Sequence, residues 1–222
     1  FATIEPNVGM VGVPDDRLAK LATVFSSEKL LPAVVSFVDI AGIVKGASEG
    51  AGLGNKFLTN IRDTDAICQV IRVFSDGDVV HVDGRIDPAS DMETINTELA
   101  LADLQTIEKA IPRLEKEARV AKEKAPILEA VKAANDWLQS GKPLSQSSID
   151  RELLAELHLL TAKPFLYVFN VDAAEINDAE LKAKLQALVA PAEAIFLDAK
   201  TEAELAELSD EDALELLQSI GL

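Results

Sequence analysis

Short apolar runs separated by amphipathic segments make up most of this chain. In four runs, apolar residues mostly follow one another directly instead of alternating with polar ones, and β-branched and aromatic side chains are frequent. These runs are Val34–Ile40, Ile67–Phe74, Phe165–Phe169 and Ala194–Leu197. Continuous runs of this kind are typical of parallel strands that are covered on both faces. The sequence therefore predicts four buried strands of one mostly parallel sheet.

Segments with helical periodicity lie between these runs. They are Arg17–Phe25, Asn55–Arg62, Ile149–Leu160 and Ala179–Leu188. A fifth apolar run, Val8–Val13, is interrupted by glycine and predicts an edge strand. Because predicted strands and helices alternate, we expect an α/β domain.

The stretch Asp91–Gly141 breaks this alternation. Apolar residues recur there at spacings of three and four, which predicts a helical, coiled-coil-like hairpin. Pro126 is expected near its turn, and Pro112 is a candidate kink in the first arm. We therefore predict a first domain portion at 1–90, a helical insertion at 91–145, and a second domain portion at 146–222.

Composition limits the partners and the compartment. The net charge of −17 disfavours nucleic acid as a general partner, so any contact with RNA must come from a local basic patch. Apolar runs are too short to span a bilayer. The single Cys68 lies in an apolar run and is expected to be a buried, inert thiol. One cysteine without a partner fits a reducing compartment, so we expect a cytoplasmic location.

The most informative motif is the D-x-x-G that follows the first long strand. Asp39 ends an apolar run and Gly42 follows three residues later. In phosphate-hydrolysing switch proteins such an Asp holds Mg²⁺ and the glycine N–H contacts the γ-phosphate. The motif alone also describes ordinary strand-end turns. The glycine-rich stretch Lys45–Leu58 strengthens the switch interpretation, and Asn55 in the third glycine position excludes a dinucleotide fingerprint.

Three further segments stand at loop or strand-end positions that suit a nucleotide site. Thr3, in a polar loop before the predicted edge strand, matches a first switch that closes on Mg²⁺ and the γ-phosphate, although an ordinary loop threonine is the alternative. Base-reading residues are expected after two of the predicted strands. They are Asn170, Val171 and Asp172 after the first, and Asp198, Ala199 and Lys200 after the second.

Taken together, these strings resemble the Obg-like ATPase family, known in bacteria as YchF. The resemblance rests on FATIEPNVG, VDIAGIVKGASEGAGLGNKFL, HVDGRIDP and INTELALADL, and it extends over essentially the whole chain. It implies a P-loop NTPase fold of the GTPase-like type with an inserted helical hairpin. It also implies hydrolysis of ATP or GTP, Mg²⁺ dependence, K⁺ as a candidate second ion, and association with the ribosome. The family motif N-x-x-E is broken here by Ala173, which leaves the choice between ATP and GTP open.

The resemblance also points to His81 as a catalytic residue. The residue after Gly42 is Ile43, whose apolar side chain cannot orient the attacking water as glutamine does in related hydrolases. A histidine can accept or orient a proton near neutral pH. An ordinary loop or strand histidine is the alternative for His81, and His158 in a leucine-rich segment is expected to be structural.

A basic patch is predicted on the first helix of the insertion. It consists of Lys109, Arg113, Lys116, Arg119 and Lys122. Interleaved glutamates favour a solvated, salt-bridged helix, while the resemblance suggests contact with RNA or the ribosome.

Two functions therefore stay open: a nucleotide-hydrolysing switch, or a non-hydrolysing module that binds a ribosomal or protein partner through the helical insertion. The pattern G-x-x-x-x-G-K-[ST] would decide between them and does not occur in these 222 residues. Family members also carry a C-terminal TGS domain. We therefore expect the sequence to be truncated at both ends, and these residues alone to bind nucleotide poorly.

Overall fold

The computed structural model describes residues 7–40, 53–75 and 86–221. It divides into two compact units, residues 1–43 and 44–222. In the first unit, β1 (Asn7–Gly12) pairs with β2 (Val34–Asp39) in an antiparallel ladder that sets Asn7 opposite Asp39. Between them lies α1 (Asp16–Phe25), whose N-terminus is capped by the side chain of Asp15.

The prediction of a buried, parallel β2 is wrong for the part of the chain that the structure describes. Its only described ladder is antiparallel, and Val34, Val35 and Phe37 are each about half exposed. The apolar run correctly marks a strand. However, burial depends on neighbouring elements, and the described part of this unit supplies only β1 and α1.

The second unit contains a parallel sheet in the order β3-β4-β5. Its elements are α2 (Leu53–Arg62), β3 (Ile67–Arg72), β4 (Phe165–Asn170), α5 (Ala179–Val189), β5 (Ala194–Leu197), α6 (Ala199–Leu205) and α7 (Asp210–Ser219). The register sets Ile67 opposite Phe165 and Asn170 opposite Leu197. The predicted strands and their parallel pairing are confirmed for this sheet.

One face of the sheet carries the core of this unit. Tyr167 and Phe169 are buried there, and the ring of Phe169 stacks on that of Phe196 with 5.5 Å between centroids. On the other face Val168 is buried but Val70 is 64% exposed, so the expected cover on both faces is incomplete for the described residues. Cys68 lies on this face and is exposed, contrary to prediction. Neighbouring groups still desolvate its thiol in part, which raises the pKa of the thiol.

The helical hairpin is confirmed and consists of α3 (Pro88–Val120) and α4 (Ala125–Gln139), joined by a short 3₁₀ turn at Lys122–Lys124. Its core contains Ile107, Leu114 and Val131, each at most 1% exposed. Pro126 lies in the first turn of α4, where its missing N–H costs no helical hydrogen bond. We call α3 and α4 together the helical arm. The domain boundaries at 90 and 145 stay a prediction.

The helix predicted at 149–160 is wrong. Only a 3₁₀ segment, Glu152–Leu157, forms there, and it ends at His158 in a left-handed conformation with φ 46°. The leucine spacing that suggested a helix buries Leu154 and Leu157 against the arm instead. His158 itself is exposed.

A buried carboxylate joins the arm to the chain that leads into β4. Asp103 on α3 is fully buried and accepts hydrogen bonds from the N–H groups of Leu160 and Thr161, both at 2.8 Å. The Thr161 hydroxyl donates a third bond at 2.7 Å. Nearby, the Lys163 ammonium donates to the carbonyls of Arg62 and Thr64, which ties the end of α2 to the same segment.

Candidate nucleotide-binding edge

Asn170 is fixed where β4 ends. Its carbonyl accepts from the N–H groups of Val73 at 2.8 Å and Phe74 at 3.2 Å, which follow β3. Its side-chain Oδ1 accepts from the N–H of Ala199 at 2.9 Å, which follows β5. No acceptor for its Nδ2 lies within hydrogen-bonding distance among the described residues. Asn170 is half-buried, so its amide donors stay available to a ligand at the carboxyl edge of the sheet.

The two residues after Asn170 have different surroundings. Val171 is 1% exposed and donates its N–H to the Leu197 carbonyl at 2.9 Å, so its side chain packs in the core and is not offered to a ligand. Asp172 is half-buried, and its Oδ2 accepts a long hydrogen bond of 3.4 Å from the Ser75 N–H. The Asp172 N–H donates to Glu175 Oε2 at 3.1 Å. Ser75 and Glu175 carried no motif signal in the sequence.

The second predicted loop forms a capped helix start. Asp198 accepts from the Lys200 N–H at 3.0 Å and from the Thr201 hydroxyl at 2.7 Å, which caps α6. Because Asp198 is held in this cap, Ala199 presents its N–H towards Asn170. The structure thus brings together two strand-end segments that lie 29 residues apart in sequence.

Thr3, Gly42 and His81 lie outside the described residues. Asp39 ends β2 in the first unit and is exposed. Across 7–40, 53–75 and 86–221, no group of three or more His, Cys, Asp or Glu side chains could hold a metal ion.

Known proteins similar to this chain decide its family. It is 46% identical over 231 residues to the ribosome-binding ATPase YchF of Bacillus subtilis and 44% identical over 233 residues to that of Escherichia coli O157:H7. Each match takes in 100% of this chain and 63% of the relative's length. The chain belongs to the YchF family.

A solved structure agrees with this assignment. The YchF GTPase of Schizosaccharomyces pombe matches 99% of this chain and 62% of its own, with a TM-score of 0.75 and 31% identity. This match confirms the α/β fold of the P-loop GTPase type that the sequence predicted. No family model matches the chain.

The basic patch lies on the surface of the arm. Lys109, Arg113, Lys116 and Arg119 are exposed on α3, while Lys122 lies beyond its end, in the 3₁₀ turn. Arg113 pairs with Glu117 at 2.8 Å, and Glu115 pairs with Lys132 of α4 at 3.2 Å. Glu117 therefore neutralises one of the five cations of the patch, in the way that the salt-bridged interpretation predicts. None of the helices that the structure describes is both long and apolar enough to cross a membrane.

Proposed function

We propose that this chain is the base-reading and helical-arm portion of a purine-nucleotide hydrolase of the YchF family, which acts in the cytoplasm as a ribosome-associated switch. The observation that carries the proposal is the hydrogen bond from the Ala199 N–H to Asn170 Oδ1. It uses Oδ1 of the Asn170 amide and leaves the two Nδ2 donors to a ligand at the sheet edge, where nucleotides bind in α/β folds.

An amide donor in this position suits a purine ring without choosing between its two kinds. Adenine and guanine both carry an acceptor at N7, so a bond from Asn170 Nδ2 to N7 accommodates both. Discrimination needs a group on the opposite base edge. Ala173, at the fourth position of the motif, supplies none. We therefore propose that both ATP and GTP are substrates.

Asp39 and Thr3 are the residues that we propose as the holders of Mg²⁺. A carboxylate and a hydroxyl offer the hard oxygen atoms that this ion prefers. Asp39 fits the role, because its carboxylate is exposed at the end of β2 and no described cation forms an ion pair with it. When bound, the ion would neutralise phosphate charge. K⁺ is a second candidate ion, Gly42 is the proposed γ-phosphate contact, and His81 is the proposed residue that orients water.

Ribosome contact is the second part of the proposal. The curated relatives are named ribosome-binding ATPases, and an exposed helical arm with a cationic side is suited to touch ribosomal RNA. A non-hydrolysing module that uses the arm alone is the alternative function. The arm is compatible with both functions, whereas the Nδ2 donors of Asn170 at the sheet edge favour a nucleotide-binding protein.

The deciding experiment measures ATP and GTP hydrolysis by the full-length protein with and without Mg²⁺ and ribosomes. We expect turnover of both nucleotides that requires Mg²⁺ and is lowered by His81→Ala with nucleotide affinity retained. Ribosome binding without any hydrolysis or nucleotide binding would establish the alternative. Turnover unchanged in His81→Ala would remove that residue from the mechanism.

A further inference from the structure

Two amide side chains, Gln69 on β3 and Asn96 on α3, each carry a buried oxygen that accepts no hydrogen bond from any residue that the structure describes. Gln69 is 7% exposed, and the Oδ1 atom of the half-buried Asn96 is itself buried. A buried acceptor has given up its bonds to solvent, so leaving it unpaired is costly. Each of these two oxygens therefore needs a donor.

Gln69 lies on the face of the sheet against which α3 packs. It is two residues from Ile71, so the two side chains share one face of β3. The register sets Gln69 opposite Tyr167, a core residue of β4 on that face. Met92 of α3 belongs to the same core as Ile71 and Tyr167. The side chain of Gln69 is therefore directed to the side of the sheet that α3 covers.

Asn96 lies on the side of α3 that faces the sheet. It follows Met92 by four residues and precedes Asp103 by seven, and both of these are buried. Further along α3, Thr106 accepts a hydrogen bond from Arg62, which precedes β3 in the chain. Because Met92 packs near the end of β3 and Thr106 lies beside the residues before it, α3 runs antiparallel to β3.

The two amides are placed at the same level between sheet and helix. From Met92 to Asn96 is one turn, about 6 Å along the axis of α3. From Ile71 back to Gln69 is about 7 Å along β3. Since the two elements run in opposite directions and Met92 packs with Ile71, both steps lead the same way. Asn96 and Gln69 therefore meet in one layer of the interface.

We propose that one water molecule binds between these amides and donates one hydrogen bond to Gln69 Oε1 and one to Asn96 Oδ1. Both orphaned atoms are acceptors, so the ligand must donate twice, and water has two O–H donors. Buried waters usually make about three hydrogen bonds to groups that would otherwise be unpaired. A hard cation fits less well, because it takes about six or more oxygen ligands.

This water gives the arm a second polar connection to the sheet. The first is Asp103, which holds the segment that enters β4. The water connects α3 to β3 instead, and the residues that follow β3, Val73 and Phe74, donate to the carbonyl of Asn170. Both strands beside the candidate nucleotide-binding edge are thus tied to α3 by buried hydrogen bonds.

The first test is a crystal structure of the full-length protein at a resolution that shows ordered water. We expect a peak of electron density about 2.5–3.0 Å from both amide oxygens. A direct hydrogen bond between the two amides, with no density between them, would overturn the proposal. Soaking with thallium(I), a heavy substitute for K⁺, tests for a cation, and an anomalous signal at this position would rule out water.

The second test is a double-mutant cycle, followed by urea unfolding of the full-length protein. Gln69→Leu and Asn96→Leu each remove one acceptor and leave the other poorly paired, so each should raise the equilibrium constant for unfolding roughly five- to 150-fold. The double variant removes both acceptors, so its effect should be far smaller than the product of the two. Effects that simply multiply would show that the two amides share no ligand.

Gln139→Leu is the matched control, because Gln139 is an exposed glutamine at the end of α4. It should change the equilibrium constant by less than about threefold. The crystal structure of the natural protein decides between water, cation and direct bond even if one of the leucine variants does not fold.

Discussion

The carboxylate of Asp103 and the hydroxyl of Thr161 are hydrogen-bonded at 2.7 Å, although 58 residues separate them. Asp103 also accepts from two main-chain N–H groups, so both of its oxygens are used. The bond joins the base of the arm to the segment that enters β4, and β4 ends at Asn170. These buried hydrogen bonds therefore connect the arm to the segment that leads to the candidate nucleotide-binding edge.

Removing this carboxylate should destabilise the protein strongly. Asp103→Ala leaves the N–H groups of Leu160 and Thr161 buried without an acceptor, at about 1–3 kcal/mol each, so we expect a loss of about 3 kcal/mol. Thr161→Val removes only the hydroxyl bond and should cost about 1 kcal/mol. The measurement is urea unfolding of the full-length protein, followed by fluorescence of Trp137 in α4.

Asp136→Ala is the matched control, because Asp136 is an exposed aspartate on the same arm. It should change the free energy of unfolding by less than about 0.5 kcal/mol. Equal effects of Asp103→Ala and Asp136→Ala would show that the hydrogen bonds of Asp103 do not stabilise the arm.

The contribution of Asp103 to stability should depend on pH. Burial raises its pKa above the ordinary value of 3.8, while its three hydrogen bonds act in the opposite direction and are the smaller effect. A folded-state pKa above the unfolded one means that this contribution is fully present below pH 3.8. It is lost as the pH rises through the raised pKa.

The non-titrating Asp103→Asn variant isolates this effect. We expect the free energy of unfolding of the natural protein, relative to that of Asp103→Asn, to fall as the pH increases from 3.8 through the raised pKa of Asp103. Unfolding curves recorded at a series of pH values measure this difference. A relative stability that increases with pH would contradict the direction of the pKa shift.

Asn170 should control nucleotide affinity rather than folding. Asn170→Ala removes the Nδ2 donors and the acceptor that holds Ala199, and a lost neutral hydrogen bond of about 0.5–1.5 kcal/mol corresponds to a roughly two- to twelvefold weaker affinity. Because N7 is common to both purines, ATP and GTP should be affected alike. Equilibrium titration of the full-length protein with fluorescent analogues of both nucleotides measures this.

Asn177→Ala provides the comparison, since Asn177 is an exposed asparagine seven residues further along, in the turn before α5. It should leave both affinities unchanged. A loss confined to one of the two nucleotides in Asn170→Ala would show that the amide reads more than N7.

The sequence predicted the candidate nucleotide-binding edge better than it predicted the buried hydrogen bonds of Asp103. Asn170 and Asp198 follow short apolar runs, and the ends of such runs coincide with the ends of β4 and β5 to within one residue. Asp103 gave no signal, because its partners are two main-chain N–H groups and one hydroxyl that only the tertiary fold brings near. The leucines at 153, 154 and 157 misled the helix prediction, since a 3₁₀ segment buries Leu154 and Leu157 equally well.

Pro112 marks a place where the arm can be stabilised. It lies inside the 33-residue α3 and is exposed, so it removes one helical hydrogen bond and crowds the carbonyl of Glu108 without a visible packing gain. Pro112→Ala restores an N–H donor at that position, and we expect the arm to gain about 1–3 kcal/mol and to melt at higher temperature.

Pro126→Ala is the matched control. It lies in the first turn of α4, where an N–H has no helical acceptor, so the change should be neutral or slightly destabilising through the unfolded state. Thermal unfolding followed by Trp137 fluorescence compares the two. A lower melting temperature in Pro112→Ala would mean that the proline sets a bend that the contact between α3 and α4 requires.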